Sequence, residues 1–154
     1  MKNERFKITP AVYLILVKDN RILLSRRLNT GFCDGAYSLV AGHFDGGETM
    51  IQAAIREARE EAGIELMADK LRLVHVQHRY VVFNDVGARE RIDFFLQAEE
   101  WEGEPVNTEP HKCDDLSWFD LDKLPENIIP YVRKAVEYAK NNIIYSEDGF
   151  ENKK

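Results

Sequence analysis

The chain has 154 residues, two cysteines and a net charge of −6. That length suits one domain with a sizeable core. Two cysteines are too few for a disulfide framework, and the acidic balance argues against a long nucleic-acid polymer as partner.

No run approaches the roughly 18 apolar residues of a membrane span, and the first residues lack the apolar core of a signal peptide. The expectation is a single domain over residues 1–145 with two free thiols in a reducing cytoplasm. Residues 10–18, PAVYLILVK, are a nearly continuous apolar run, and RILLSRR follows at 21–27. This predicts a hairpin turning at Asp19-Asn20, its first strand covered on both faces. Strand side chains alternate, so one of Arg26 and Arg27 faces a site, or both are solvated charges at a strand end. Arginine suits phosphate geometry, and Arg27 is the candidate. Residues 29–36, NTGFCDGA, form a loop rich in turn formers. Phe32 and Tyr37 either flank a bound base or pack in the core. A short strand over 37–40 follows.

Residues 42–64 read GHFDGGETMIQAAIREAREEAGI. Thr49 and Gln52 have capping-box spacing, and Gly63 suits a helix end. A glycine-rich turn therefore runs into a helix, with Ile51, Ala54, Ile55, Ala58 and Ala62 as its core stripe. At about 100° per residue, Glu57, Glu60 and Glu61 converge. Three crowded carboxylates repel one another. The chemistry that wants such a cluster is a hard divalent cation held by oxygens, Mg²⁺ or Mn²⁺. Arg56, one turn before Glu60, offsets part of the repulsion. The plainer alternative is a solvated acidic face.

Gly42, five residues, Glu48, seven residues, then Arg56-Glu57-Ala58-Arg59-Glu60-Glu61-Ala62-Gly63-Ile64 resembles the Nudix box of the MutT-like pyrophosphohydrolases. Ala58 stands where the family often has a larger aliphatic, and Leu39-Val40-Ala41-Gly42 where it often reads Leu-Pro-Gly-Gly. The resemblance implies a Nudix-type α/β/α sandwich with a mixed β-sheet between helices. It implies metal-dependent hydrolysis of a nucleoside diphosphate linked to another moiety, foremost a nucleoside triphosphate giving monophosphate and pyrophosphate. The partner is then a small-molecule nucleotide. Glu57, Glu61, Glu60 and the backbone at Gly42 become metal ligands, with Glu60 as ligand or general base. Arg56 orients the glutamates, and Glu48 braces the loop. His43 faces the phosphates or makes a local hydrogen bond. Nucleotide sugars, ADP-ribose and pterin triphosphates stay open as substrates, as does a non-catalytic nucleotide sensor.

Residues 71–83 read as a long strand. His75 and His78, three apart, fall on opposite faces, which suits structural or solvated roles better than a metal pair. A turn at Asn84-Asp85-Val86-Gly87 leads to a strand over 89–98. There Arg89 and Arg91 share a face and reach phosphates or solvent; Arg91 is the second substrate-binding candidate. The words Trp101-Glu102-Gly103-Glu104-Pro105 resemble the same segment of MutT-like enzymes. That likeness implies that Glu109 enters the catalytic site from a loop; a solvated loop acid is the alternative. A strand over 116–119, a turn of helix over 121–124 and a helix over 131–140 complete the pattern. Asn127 resembles a base-contacting asparagine, with a turn asparagine as the alternative. Residues 146–154 are expected to form a flexible tail.

Overall fold

The computed structural model describes residues 3–83 and 87–153. β1 (Thr9–Lys18) and β2 (Arg21–Arg27) form the expected hairpin. Asp19 and Asn20 both take positive φ, 52° and 58°, as a two-residue hairpin turn requires. The strands stay paired only at Val17–Ile22 and Lys18–Arg21 before parting. β1 then runs parallel to β6 (Gly87–Ala98) and antiparallel to β4 (Val40–His43). β2 takes β3 (Tyr37–Ser38) and β7 (Cys113–Asp120). β5 (Arg72–Phe83) completes a long antiparallel pair with β6. With β8 (Tyr145–Asp148) the sheet order is β3-β2-β1-β6-β5-β8, mixed in direction.

β1 is apolar throughout because both its faces are covered. Val12, Leu14 and Leu16 pack under α1 (Met50–Ala62), against Ala53, Ala54, Ala58 and Ala62. Tyr13, Ile15 and Val17 pack under α2 (Pro130–Lys140), against Val132, Ala135 and Val136. One helix lies on each face, which is the α/β/α sandwich expected. The small alanines of α1 let it sit close to the sheet. Its start is the predicted capping box: the Thr49 hydroxyl accepts from the Gln52 N–H, and Gln52 reaches back to the Thr49 N–H. α2 starts on Pro130 at its first position, where the missing N–H costs nothing.

Two expectations are corrected. Residues 121–124 form a turn, not a turn of helix: the Asp120 carboxylate accepts from the Asp122 N–H and holds the chain in a tight bend. Residues 146–154 do not form a free tail over their described part. β8 (Tyr145–Asp148) pairs in parallel with β5, and Phe150 packs on His78 and Tyr80. The reason is a contact distant in sequence: Ser146 is buried and its hydroxyl meets Nε2 of buried His75 at 2.7 Å. The domain therefore extends past residue 145. Of the predicted turn at residues 84–87, residues 84–86 lie outside the described residues, and Gly87 already belongs to β6. Gly149 provides a check on this docking. It has φ +81°, and a Cβ there would lie 2.2 Å from the Tyr80 carbonyl oxygen. Gly149→Ala is expected to cost about 2–3 kcal/mol in a urea titration. An unchanged midpoint would mean that the segment is not held against β5.

Candidate functional site

α1 presents its acids to the edge formed by β4 and the loop after it. Glu57 is on the buried side of the helix, 7% exposed, and lies directly over Gly42. A Cβ at Gly42 would fall 2.0 Å from Glu57 Oε1, so only glycine leaves room for this carboxylate. Gly42 and His43 belong to strand β4 rather than to the glycine-rich turn, which begins after them.

Arg56 is the organising cation. Its Nε and Nη2 donate to the Glu48 carboxylate at 3.0 and 2.7 Å. Nη1 donates to Glu57 at 2.6 Å and to Glu60 at 3.2 Å, and Nη2 also reaches the His43 carbonyl. Glu48 in turn accepts from the Asp45 N–H at 2.8 Å, fixing the loop. The hydrogen bonds from Arg56 hold the Glu48 carboxyl down to a pKa of about 2. Burial pushes Glu57 up, against the pull of Arg56.

The three acids are not gathered around one point, as the helical spacing alone suggested. Among the described residues no three His, Cys, Asp or Glu side chains form such a group. Glu57 and exposed Glu60 turn toward Arg56, whereas Glu61 turns to β4 and accepts from the Ala41 N–H at 3.0 Å. Mutual repulsion favours this split between two donors. Burial pushes Glu61 up to a pKa of about 8, and the nearby carboxylates of Glu57 and Glu109 add to the effect. Glu109 is thus brought beside the acidic helix. Its loop is tied there by the Val106 N–H to the Ala62 carbonyl and by the Thr108 hydroxyl to the Glu60 carbonyl. The Glu109 carboxylate is 3.7 Å from Lys112 Nζ.

A cavity of about 550 Å³ opens beside Glu61, on the α2 face of the sheet. Arg27, Arg79, Arg91 and Lys112 line it, together with Tyr13, Phe32, Phe83, Tyr131, Gly42 and His43. Of the two arginines ending β2, Arg27 faces this cavity, anchored by Nε on the Phe32 carbonyl at 2.6 Å, and Arg26 turns away to Asp114. Phe32 meets Phe83 at a centroid distance of 6.0 Å. Tyr37 is a core residue, against Phe119. Burial and the charge of Arg91 push His43 below its usual range.

Asn127 does not line the cavity. Its amide donates to the Gly35 carbonyl at 3.1 Å, tying the loop that carries Phe32. His75 and His78 are structural: His75 is buried on Ile143 and Ser146, and His78 pairs with Glu90 at 2.9 Å. Sequence reading missed Arg79, Tyr13, Tyr131 and Phe83. The one signal was an arginine at position 79, two residues on from Gln77 and four from His75. Those three polar side chains share a strand face and are all buried.

An acidic helix braced on one face of a mixed sheet, opening onto a basic and aromatic cavity, defines a Nudix-type α/β/α sandwich. The NUDIX domain model matches residues 7–139, and the chain belongs to the Nudix family of hydrolases. It is 33% identical over 113 residues to an oxidized purine nucleoside triphosphate hydrolase of Danio rerio, covering 73% of this chain and 66% of that protein. It is 29% identical over 119 residues to the NAD-capped RNA hydrolase NudC of Pseudomonas aeruginosa, covering 77% of this chain. The match spans only 38% of that longer protein. Among solved structures, a MutT NUDIX hydrolase from Burkholderia pseudomallei superposes with a TM-score of 0.77 at 30% identity, over 86% of this chain and 98% of the other. No helix among the described residues is long and apolar enough to cross a membrane.

Proposed function

We propose that this protein hydrolyses a nucleoside diphosphate linked to another moiety, foremost a nucleoside triphosphate to monophosphate and pyrophosphate, with Mg²⁺ or Mn²⁺ as cofactor. One observation carries the reading: Glu61 of the acidic helix shares a cavity with Arg27, Arg91 and Lys112, so oxygen donors and phosphate-binding cations face the same space. The donor set suits a hard cation. Glu57, Glu60, Glu61 and the Gly42 carbonyl offer only oxygen, and the bare Gly42 lets Glu57 lie against the backbone. When bound, such an ion neutralises phosphoryl oxygens and makes a coordinated water more acidic.

The chain's own residues supply the rest. Arg27 holds oxygens of the scissile diphosphate through its planar, charged fork, and Arg91 adds positive charge deeper in the same cavity. Glu109, carried beside Glu61 by its loop, takes the proton of the attacking water, with Glu60 as the second candidate. Water adds across the α–β anhydride bond as that bond breaks, and pyrophosphate leaves. Arg56 keeps Glu57 and Glu48 in place and touches no substrate. Phe32 and Phe83 offer a base two aromatic faces. Asn127 contributes through the loop it ties rather than by touching the base. The exposed Cys33 and buried Cys113, both free, accord with a cytoplasmic setting.

The test is a substrate panel with Mg²⁺. Nucleoside triphosphates are expected to release pyrophosphate faster than ADP-ribose, nucleotide sugars, NAD or NAD-capped RNA release their products. Saturable nucleotide binding with no product from any of them would overturn the catalytic reading in favour of a nucleotide sensor.

A further inference from the structure

The deep end of the cavity carries more positive charge than its surroundings balance. Arg79 on β5 is 3% exposed, and Asp93 on β6 is fully buried. Arg79 Nε meets Asp93 Oδ2 at 2.5 Å. Its guanidinium lies 3.5 Å from the centre of the Tyr131 ring, so it is held in place from two sides. Arg91, the neighbour of Arg79 across the β5–β6 pair, has only a long contact of 3.4 Å to the other oxygen of the same Asp93. Among the described residues neither arginine has a second carboxylate partner. The Arg91 Nε–H is inaccessible to solvent and has no acceptor. Buried Arg79 and half-buried Arg91 thus share one carboxylate, leaving two positive charges against one negative and one donor of Arg91 unmade.

Both features are costly. A buried donor without an acceptor is destabilising, and so is a charge held largely out of water without its own counter-charge. A neutral base or sugar would leave the charge unbalanced. An oxyanion set against the accessible edge of Arg91 and the adjoining guanidinium of Arg79 balances that charge, because a guanidinium presents a fork that matches two oxygens. We propose that Arg79 and Arg91 form a second anion subsite, which receives a phosphate monoester or carboxylate that the substrate carries in addition to its scissile diphosphate. This rests on the reading of the cavity as the substrate site. It makes the site selective for substrates with an extra anionic group.

The first test uses inorganic phosphate with excess chelator, so that no cation mediates binding and no turnover is needed. Titration calorimetry is expected to give one saturable site. Arg91→Met should weaken it at least tenfold. Arg91→Gln, a polar second variant in case the first fails to fold, should do the same. Arg26→Gln, whose partner Asp114 lies outside the cavity, should stay within twofold. Circular dichroism and melting temperature verify folding.

The second test separates the two sources of the oxyanion. ADP-ribose is compared with its 2′-phosphate, and UDP-glucose with UDP-glucuronate, again with chelator. At least one charged member is expected to bind tenfold tighter than its neutral partner, with the gain lost in Arg91→Met. Absence of saturable phosphate binding overturns the subsite. So does equal binding by Arg91→Met, or equal affinity within both pairs. A protein that binds phosphate in this way but cleaves no nucleotide would instead overturn the hydrolase reading and leave the subsite standing.

Discussion

Glu61→Gln is expected to lower turnover by roughly 10³-fold, the scale of losing one charged group at a phosphoryl site, while the fold remains intact. Glu61 accepts one backbone hydrogen bond, from Ala41, and glutamine's carbonyl oxygen accepts it equally well. Burial disfavours its ionised form and holds its pKa at about 8. The sign of the stability effect follows. The folded protein binds this proton more tightly than the unfolded chain, so the wild type loses stability as pH rises from the ordinary glutamate range, near 4.5, through about 8. The glutamine variant has no such loss. With chelator present, Glu61→Gln is expected to be the more stable protein above pH 8. The margin is on the order of 2 kcal/mol, below the full shift because solvent and neighbouring groups relax. Near-normal turnover in the variant would reject the role of Glu61, and parallel pH–stability curves would reject the cost of ionising it in the folded protein.

Arg56→Met is expected to be the most damaging substitution to the site's architecture. One guanidinium satisfies Glu48, Glu57 and Glu60 and reaches the His43 carbonyl. Methionine keeps much of the apolar stem and removes every one of these bonds. Glu57 is then a buried carboxylate without its cation, which costs about 2–3 kcal/mol, less than for a fully buried pair because the Arg56 side chain keeps contact with solvent. Glu48 loses the bonds that hold its pKa near 2. In the wild type those bonds contribute stability that is present above the ordinary glutamate range and fades only as pH falls toward 2. The variant is expected to lack this part of the acid resistance. Denaturant titrations at pH 7 and pH 4 check both statements: a midpoint unchanged at pH 7 would mean that Arg56 does not brace the site. Turnover is expected to fall about a hundredfold, since acids displaced by about 1 Å no longer meet substrate productively.

Much of this molecule was legible in its residues because the signals were local. The Asp19-Asn20 turn, the Thr49–Gln52 cap, the apolar β1 and the stripe on α2 depend on neighbours a few positions away. Local geometry there leaves few alternatives. The acidic helix and the glycine that makes room for Glu57 belong to a motif confined to 23 residues, read as a unit.

What the sequence could not decide was where charges go when distant segments meet. Helical spacing gathered Glu57, Glu60 and Glu61. The folded chain splits them, because Arg56 and the Ala41 N–H compete for them. Which of Arg26 and Arg27 faces the cavity was settled by Asp114, 88 residues from Arg26. The last residues read as a polar tail until the buried His75 gave Ser146 a partner. The pairing of Arg79 and Arg91 over a single Asp93 exists only once β5 and β6 are in register. A short-range pattern specifies backbone shape. The balance of buried charge depends on contacts across the whole chain, and only the tertiary structure fixes those.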